Sequence, residues 1–216
     1  MSMSGTLYLI PCSLGEQNET SHMQSWQPLA VRAQIQKLQY FVVENAKTAR
    51  AFLKACEHPQ ALVSLQFIEI PKHETPDTAS VIALLRKGIN VGVLSEAGCP
   101  GVADPGAVFV AAAHLAQIPV KPLVGPSALL LALMASGMNG QGFAFHGYLP
   151  IPDKDRFNKL KILEQTSRNT GSTQLFIETP FRNHALLLTL LSGLAADTRL
   201  AIACDLTLPS EWICVK

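Results

Sequence analysis

The chain has 216 residues, 48% of them apolar and 15% charged, with a formal net charge of +1. This is the composition of a globular protein with a sizeable core, which excludes a disordered chain. The near-zero charge argues against a protein that holds nucleic acid mainly by neutralising phosphate. Length is compatible with one large domain or two small ones. The longest apolar stretches, such as 127–138, fall short of the roughly 20 residues of a membrane-spanning helix. The start, Met1 to Thr6, lacks the basic residues and apolar core of a secretory signal. A soluble, cytosolic protein is expected.

Short β-rich runs alternate with helical patterns. Strands are expected over 6–11, 40–44, 65–70, 90–95 and 120–124, each followed by a turn and a helical stretch. These runs are apolar on successive residues, as in strands covered on both faces, so the alternation predicts βα units and a mainly parallel sheet. Thr75-Pro76, Asp104-Pro105 and Thr179-Pro180 read as N-cap and first helical residue, and Gly125-Pro126-Ser127 offers the same proline start. Gly88 and Gly137 fall where C-terminal caps are expected. After 143–148, the stretch Leu149-Pro150-Ile151-Pro152-Asp153 is stiff and turn-forming, which places a domain boundary between 1–149 and 150–216. The second part reads as helix 153–167, strand 173–178, helix 180–194 and strand 199–206, with 211–216 as the start of a strand left unpaired. This makes a small α/β domain with an incomplete sheet.

Several chemistries are not written in the chain. Cysteines 12, 56, 99, 204 and 214 are odd in number and form no C-x-x-C pair, so buried reduced thiols are expected rather than zinc or disulfides. The six histidines lack metal-ligand spacing, and no metal is expected. No G-x-G-x-x-G follows the first strand, and neither a Walker loop nor a G-x-S-x-G elbow occurs. Lys154, Arg156, Lys159, Lys161 and Arg168 alternate with Asp153, Asp155 and Glu164. An ordinary solvated helix face is the preferred reading, ahead of a nucleic-acid patch.

Ligands of open α/β sheets collect at the carboxyl ends of strands, where helix-start amides face outward. Three unusual segments fall there. Residues 94–106 form a loop dense in glycine, alanine and proline, open to close approach by a ligand or simply a long crossover with Asp104 capping the next helix. Residues 122–128 run from a strand through Gly125-Pro126-Ser127 into a helix start. Residues 176–182 bring Glu178 and Arg182 within one turn, either as an ion pair or as cleft-lining groups.

Taken in order, these segments resemble the tetrapyrrole-methylase superfamily, most closely its branch that methylates a ribose 2′-oxygen of small-subunit ribosomal RNA. The signature S-D-A-G-T-P-x-x-x-D-P-G reads here Ser95-Glu96-Ala97-Gly98-Cys99-Pro100-Gly101-Val102-Ala103-Asp104-Pro105-Gly106. Gly5-Thr6-Leu7-Tyr8, Gly125-Pro126-Ser127-Ala128, Gly147-Tyr148-Leu149-Pro150, Glu178-Thr179-Pro180-Phe181-Arg182 and Asp205-Leu206-Thr207 match further elements. The resemblance implies a bilobal α/β fold with S-adenosylmethionine folded into a cleft between two domains, in a homodimer. Carried over by position, it implies donor contacts at Pro11, Ser95, Glu96, Ala97, Gly98, Asp104, Pro105, Gly106, Ala107, Ser127, Ala128 and Ile177.

Departures lie toward the acceptor side. The branch opens T-P-I-G-N-L after its first strand, where this chain has Pro11-Cys12-Ser13-Leu14-Gly15-Glu16. Its E-D-T-R appears as Glu44-Asn45-Ala46-Lys47 with Arg50 further on, and its Y-E-S-x-H-R as Ile177-Glu178-Thr179-Pro180-Phe181-Arg182. Glu44 and Glu178 are the candidate bases, and Arg50 and Arg182 the candidate acceptor contacts. The resemblance implies methyl transfer to ribosomal RNA. A tetrapyrrole or other small-molecule acceptor is the alternative, and a non-catalytic donor-binding protein a further one.

Overall fold

The computed structural model describes residues 4–15, 20–71 and 73–216. Glu16 and the first three residues of the amino-terminal stretch lie outside the described residues. The chain divides into two compact units, Met1–Ala128 with Thr207–Pro209, and Leu129–Leu206 with Ser210–Lys216.

The first unit is built on a five-stranded parallel sheet of order β3-β2-β4-β1-β5. Its strands are β1 (Leu7–Ile10), β2 (Tyr40–Val43), β3 (Gln66–Glu69), β4 (Val91–Leu94) and β5 (Val120–Pro122). Because side chains alternate across a strand, consecutive apolar residues feed two cores. Ile10, Phe41, Val43 and Leu94 pack with Met23, Ile35, Phe52 and Leu53 from α1 (Thr20–Trp26), α2 (Leu29–Ile35) and α3 (Ala46–Ala55). Leu7, Val42, Val91 and Val93 pack with Val81, Leu85, Phe109 and Ala113 from α4 (Thr78–Arg86) and α5 (Ala107–Leu115). Every strand is parallel, so all five carboxyl ends lie along one edge of the sheet.

The helix starts differ from expectation in an informative way. The cap of α4 is Asp77, whose carboxylate accepts from Ser80 N at 3.1 Å, and not Thr75. Pro76 precedes the cap, where its missing N–H costs nothing. Gly106, at φ +148, is the N-cap of α5, so Asp104 caps no helix. Thr179 and Pro180 do begin a helical segment, a 3-10 turn (Pro180–Arg182).

The second unit contains most of α6 (Ala128–Ser136), then β6 (Phe143–Tyr148), α7 (Asp153–Thr170), β7 (Thr173–Ile177), α8 (Asn183–Gly193), β8 (Ala201–Cys204) and β9 (Trp212–Val215). β6 and β7 pair in parallel with α7 as the crossover, so the expected boundary at 149/150 falls inside this unit. The carboxyl-terminal residues do find a partner, contrary to expectation. β9 pairs antiparallel to β8, with Ala201 opposite Val215 and Cys204 opposite Trp212. Leu149, Leu160, Leu163, Leu186 and Leu190 form the core. Only Cys12 and Cys56 are buried, whereas Cys99 and Cys214 are half-buried and Cys204 is exposed. The expectation of buried thiols therefore fails for three of the five. Among the described residues no helix is long and apolar enough to cross a membrane, and no group of three or more histidine, cysteine or acidic side chains could hold a metal ion.

Candidate functional site

β4, β1 and β5 are neighbours in the sheet, and the loops leaving them meet at its carboxyl edge. β1 runs into Pro11, Cys12 and Ser13, all buried. Cys12 N donates to Gly98 O at 2.8 Å, an isolated antiparallel bridge that ties the end of β1 to the loop after β4. Gly98 takes φ +68, and a Cβ there would stand 3.3 Å from Leu14 Cδ2. Beyond β5, a Cβ on Gly125 would lie 2.3 Å from Pro11 Cβ, so only glycine lets these two loops touch. Cys99 Sγ donates to Pro126 O at 3.4 Å and closes the third side. The outcome is a rim of backbone and small side chains drawn from three loops.

The Ser95 hydroxyl, 6% exposed, turns inward and donates within its own loop, to Ala97 O and Gly98 O at 3.2 Å each. It shapes the loop, which leaves ligand contacts to the backbone. Glu96 N donates to Glu44 Oε1 at 3.2 Å, and Glu96 Oε1 accepts from Thr48 Oγ1 at 2.6 Å. These bonds draw the end of β2 and the start of α3 to the same rim. Burial raises the Glu44 carboxyl above its usual range, against the hydrogen bond from Glu96 N, and the Glu96 charge adds to the rise. Burial pushes Asp104 up to about 6, with the charges of Glu44 and Glu96 adding. Burial also pushes up the Cys12 and Cys99 thiols, so neither is a ready nucleophile. Among the described residues none of Glu44, Glu96 and Asp104 makes an ion pair. A ligand bringing positive charge would relieve Glu44 and Asp104.

The other expected site residues are distributed around this rim and elsewhere. Pro105 and Ala107 are exposed beside buried Gly106, while Ser127 and Ala128 are half-buried at the start of α6. Arg50 lies over the Phe67 ring, 4.7 Å from its centroid, toward the β3 edge. In the second unit, Ile177 ends β7 and is half-buried. Glu178 accepts from Arg182 Nη2 at 2.6 Å and from Thr179 N at 2.8 Å. Of the two candidate bases, Glu178 is therefore committed to a cation and Glu44 is not. Sequence reading missed Thr48 and Glu69. The Glu69 carboxylate accepts from Ala46 N at 3.1 Å, and together with the Asn45 cap it fixes the start of α3. Thr48 meets Glu96 across 48 residues of chain, and no local pattern signals such a contact. Two open hollows, of about 600 Å³ between α4 and α5 and about 400 Å³ between α7 and α8, lie against helices and away from the strand ends.

No family model matches the chain. Among curated proteins, ribosomal RNA small subunit methyltransferase I of Micromonospora olivasterospora is 33% identical over 208 residues, covering 96% of this chain and 61% of the relative. The protein of the same name from Synechocystis sp. is 31% identical over 204 residues, 94% of this chain and 67% of the relative. That from Xylella fastidiosa is 30% identical over 204 residues, 94% and 68%. The chain thus spans about three fifths of the length of the first of these relatives. In fold it is similar to the crystal structure of uroporphyrin-III-C-methyltransferase from Thermus thermophilus, with a TM-score of 0.53 at 20% identity, covering 98% of this chain and 82% of that one.

Proposed function

The chain belongs to the family of ribosomal RNA small subunit methyltransferase I, and on that footing we propose that it is an S-adenosylmethionine-dependent methyltransferase acting on a ribose 2′-hydroxyl of small-subunit ribosomal RNA. The observation that carries the donor half is the rim at the ends of β1, β4 and β5, tied by Cys12 N to Gly98 O. Gly125 against Pro11 and Gly98 beside Leu14 let the loops close on one another, and this packing sets the backbone rim that a nucleoside would meet. Asp104, Glu44 and Glu96 have no ion-pair partner among the described residues, and their negative charge suits the sulfonium of this donor.

Bound S-adenosylmethionine supplies the activated methyl group, so the protein's share of the work is positioning and proton handling. Pro11, Ser95, Glu96, Ala97, Gly98, Asp104, Pro105, Gly106, Ala107, Ser127 and Ala128 are the proposed donor contacts, with Ile177 of the second unit as a further one. Glu44 is the better candidate base. A ribose hydroxyl is a very weak acid, and a carboxylate with a raised pKa and no cationic partner among the described residues takes its proton more readily than one held in an ion pair. Glu178 then acts as a positioning residue that fixes Arg182. Arg50 and Arg182 remain the proposed acceptor contacts. Homodimerisation and a cytoplasmic location belong to the same reading.

The test is methyl transfer from labelled S-adenosylmethionine to small ribosomal subunits or their RNA from a strain lacking this activity, beside a panel of tetrapyrroles. Label in RNA, lost in Glu44→Gln, supports the reading. Label in a tetrapyrrole alone moves the acceptor to a small molecule. Tight donor binding with no label anywhere leaves only a donor-binding protein.

A further inference from the structure

The second unit carries an exposed group that the donor site does not use. Phe181 is 96% exposed, an unusual position for a whole phenyl ring. It sits in the 3-10 turn Pro180–Arg182, next to Arg182. The Arg182 guanidinium lies over the Tyr148 ring at 5.4 Å from its centroid, and Tyr148 is itself 52% exposed.

Three devices hold these groups in place. Pro180 at the first position stiffens the turn, and Arg182 N donates to Thr179 O at 3.0 Å. Glu178, with a side chain 5% exposed, pins Arg182 through its 2.6 Å bond. The register of β6 against β7 shifts between Phe145 and Tyr148, with Gly147 at φ +64, and such an irregularity re-aims the side chain that follows it. These contacts fix the backbone under Phe181 and the place of the Tyr148 and Arg182 side chains, which lowers the entropy lost when something stacks there.

Resting on the RNA reading above, we propose that Phe181 and the Tyr148–Arg182 stack form a platform that takes an unpaired base of the RNA acceptor and presents its strand to the enzyme. Arg182 is already neutralised by Glu178, so the patch offers flat π and guanidinium faces more than net charge. That matches the known preference of single-stranded RNA sites for stacking on aromatic rings and guanidinium planes. Bases inside an A-form helix already stack on their neighbours and have no free face, so the platform selects loops, bulges and strand ends. It also accounts for how a chain with net charge +1 could hold RNA without a broad basic surface.

The test uses the full chain and two fluorescein-labelled RNAs of about 15 nucleotides, within the size range of single-strand sites. One is single-stranded and one is a blunt duplex. Binding is read by fluorescence anisotropy, alongside calorimetry with S-adenosylhomocysteine. Phe181→Leu keeps the apolar bulk and removes the π face, Phe181→Trp keeps the face, and Tyr148→Leu tests the second ring independently. The two leucine variants should each weaken single-strand binding about tenfold, the usual order for one lost stack. Phe181→Trp should bind like the parent, and duplex and S-adenosylhomocysteine affinities should stay unchanged in all three. Parent-like single-strand binding by both leucine variants overturns the platform and leaves the RNA reading standing. Equal losses on duplex and single strand also overturn it, because stacking on a free base cannot produce them. If the parent neither binds RNA nor methylates it, the acceptor reading itself has failed, a result distinct from the other two.

Discussion

The strand ends of the first unit and the helix contacts of the second hold their carboxylates in opposite ways. At the carboxyl ends of the first unit's strands, burial raises Glu44 and pushes Asp104 up to about 6. In the second unit hydrogen bonds do the reverse. The Thr198 hydroxyl and Ala195 N, aided by Lys161, bring Glu164 down to about 2, and Arg168 lowers Asp197. In the second unit Glu164, Glu178 and Asp197 each have a cationic partner, as structural carboxylates do. At the backbone rim of the first unit Glu44, Glu96 and Asp104 have no ion pair among the described residues, and for the two raised carboxyls this is unfavourable unless a ligand completes it. Positions where a fold holds charge at a cost are the better guide to function, and here they select the same edge that the sheet topology selects.

The largest expected effect comes from filling the rim. Gly98→Val puts a β-branched side chain at φ +68 and 3.3 Å from Leu14 Cδ2. It should weaken S-adenosylhomocysteine binding by about a hundredfold or more, roughly 3 kcal/mol, while circular dichroism shows the fold retained. Binding equal to the parent would take the donor away from this edge.

Next is the pinned pair of the second unit. Glu178→Gln leaves Arg182, with a side chain 26% exposed, without its carboxylate. A loss of about 2 kcal/mol is expected, which in a chain of this length lowers the melting temperature by roughly 4–8 °C. A full loss of methyl transfer with unchanged stability would instead make Glu178 the base.

The raised carboxylates make a pH prediction of about tenfold. Asp104 stays protonated to about 6 in the free protein, so its negative charge develops as pH rises from about 5 to 7. Affinity for the cationic S-adenosylmethionine should climb across that window, while that for the neutral sulfur of S-adenosylhomocysteine should change much less. Stability carries the opposite sign. The folded pKa lies above the unfolded one, so the folded state binds more protons between about pH 4 and 6 and stability falls as pH rises through that range. Asp104→Asn should flatten both slopes and leave the contribution of Glu44, which parallel titrations and melts at stepped pH would show.

The smallest effect belongs to the exposed Arg168–Asp197 pair, whose carboxylate is 72% exposed. Asp197→Ala should leave the melting temperature nearly unchanged, and added salt should erase any difference. A large effect here would undo the contrast between the units.

Much of this was legible before any coordinates. Successive apolar residues in five short runs led to parallel strands covered on both faces, because only such strands can bury every side chain. The loop 94–106 and Gly125-Pro126-Ser127 stood out because glycine, proline and alanine crowd where strands end. The sequence could not tell that Asp104 caps nothing, since Asp-Pro before a helix is a standard start and only the backbone at Gly106 excludes it. It could not give the Thr48–Glu96 and Cys12–Gly98 contacts, which depend on strand order and not on spacing. The turn-rich stretch at 149–153 looked like a boundary, yet the pairing of β6 with β7 keeps it within the second unit. Composition cannot distinguish a linker from a crossover turn.

The most direct test of the donor rim is calorimetric titration of the full chain with S-adenosylhomocysteine near neutral pH. One site per chain with micromolar affinity, weakened about a hundredfold or more by Gly98→Val and retained in Asp197→Ala, is the expected result. No heat and no thermal stabilisation at millimolar ligand, with the protein folded, would contradict it.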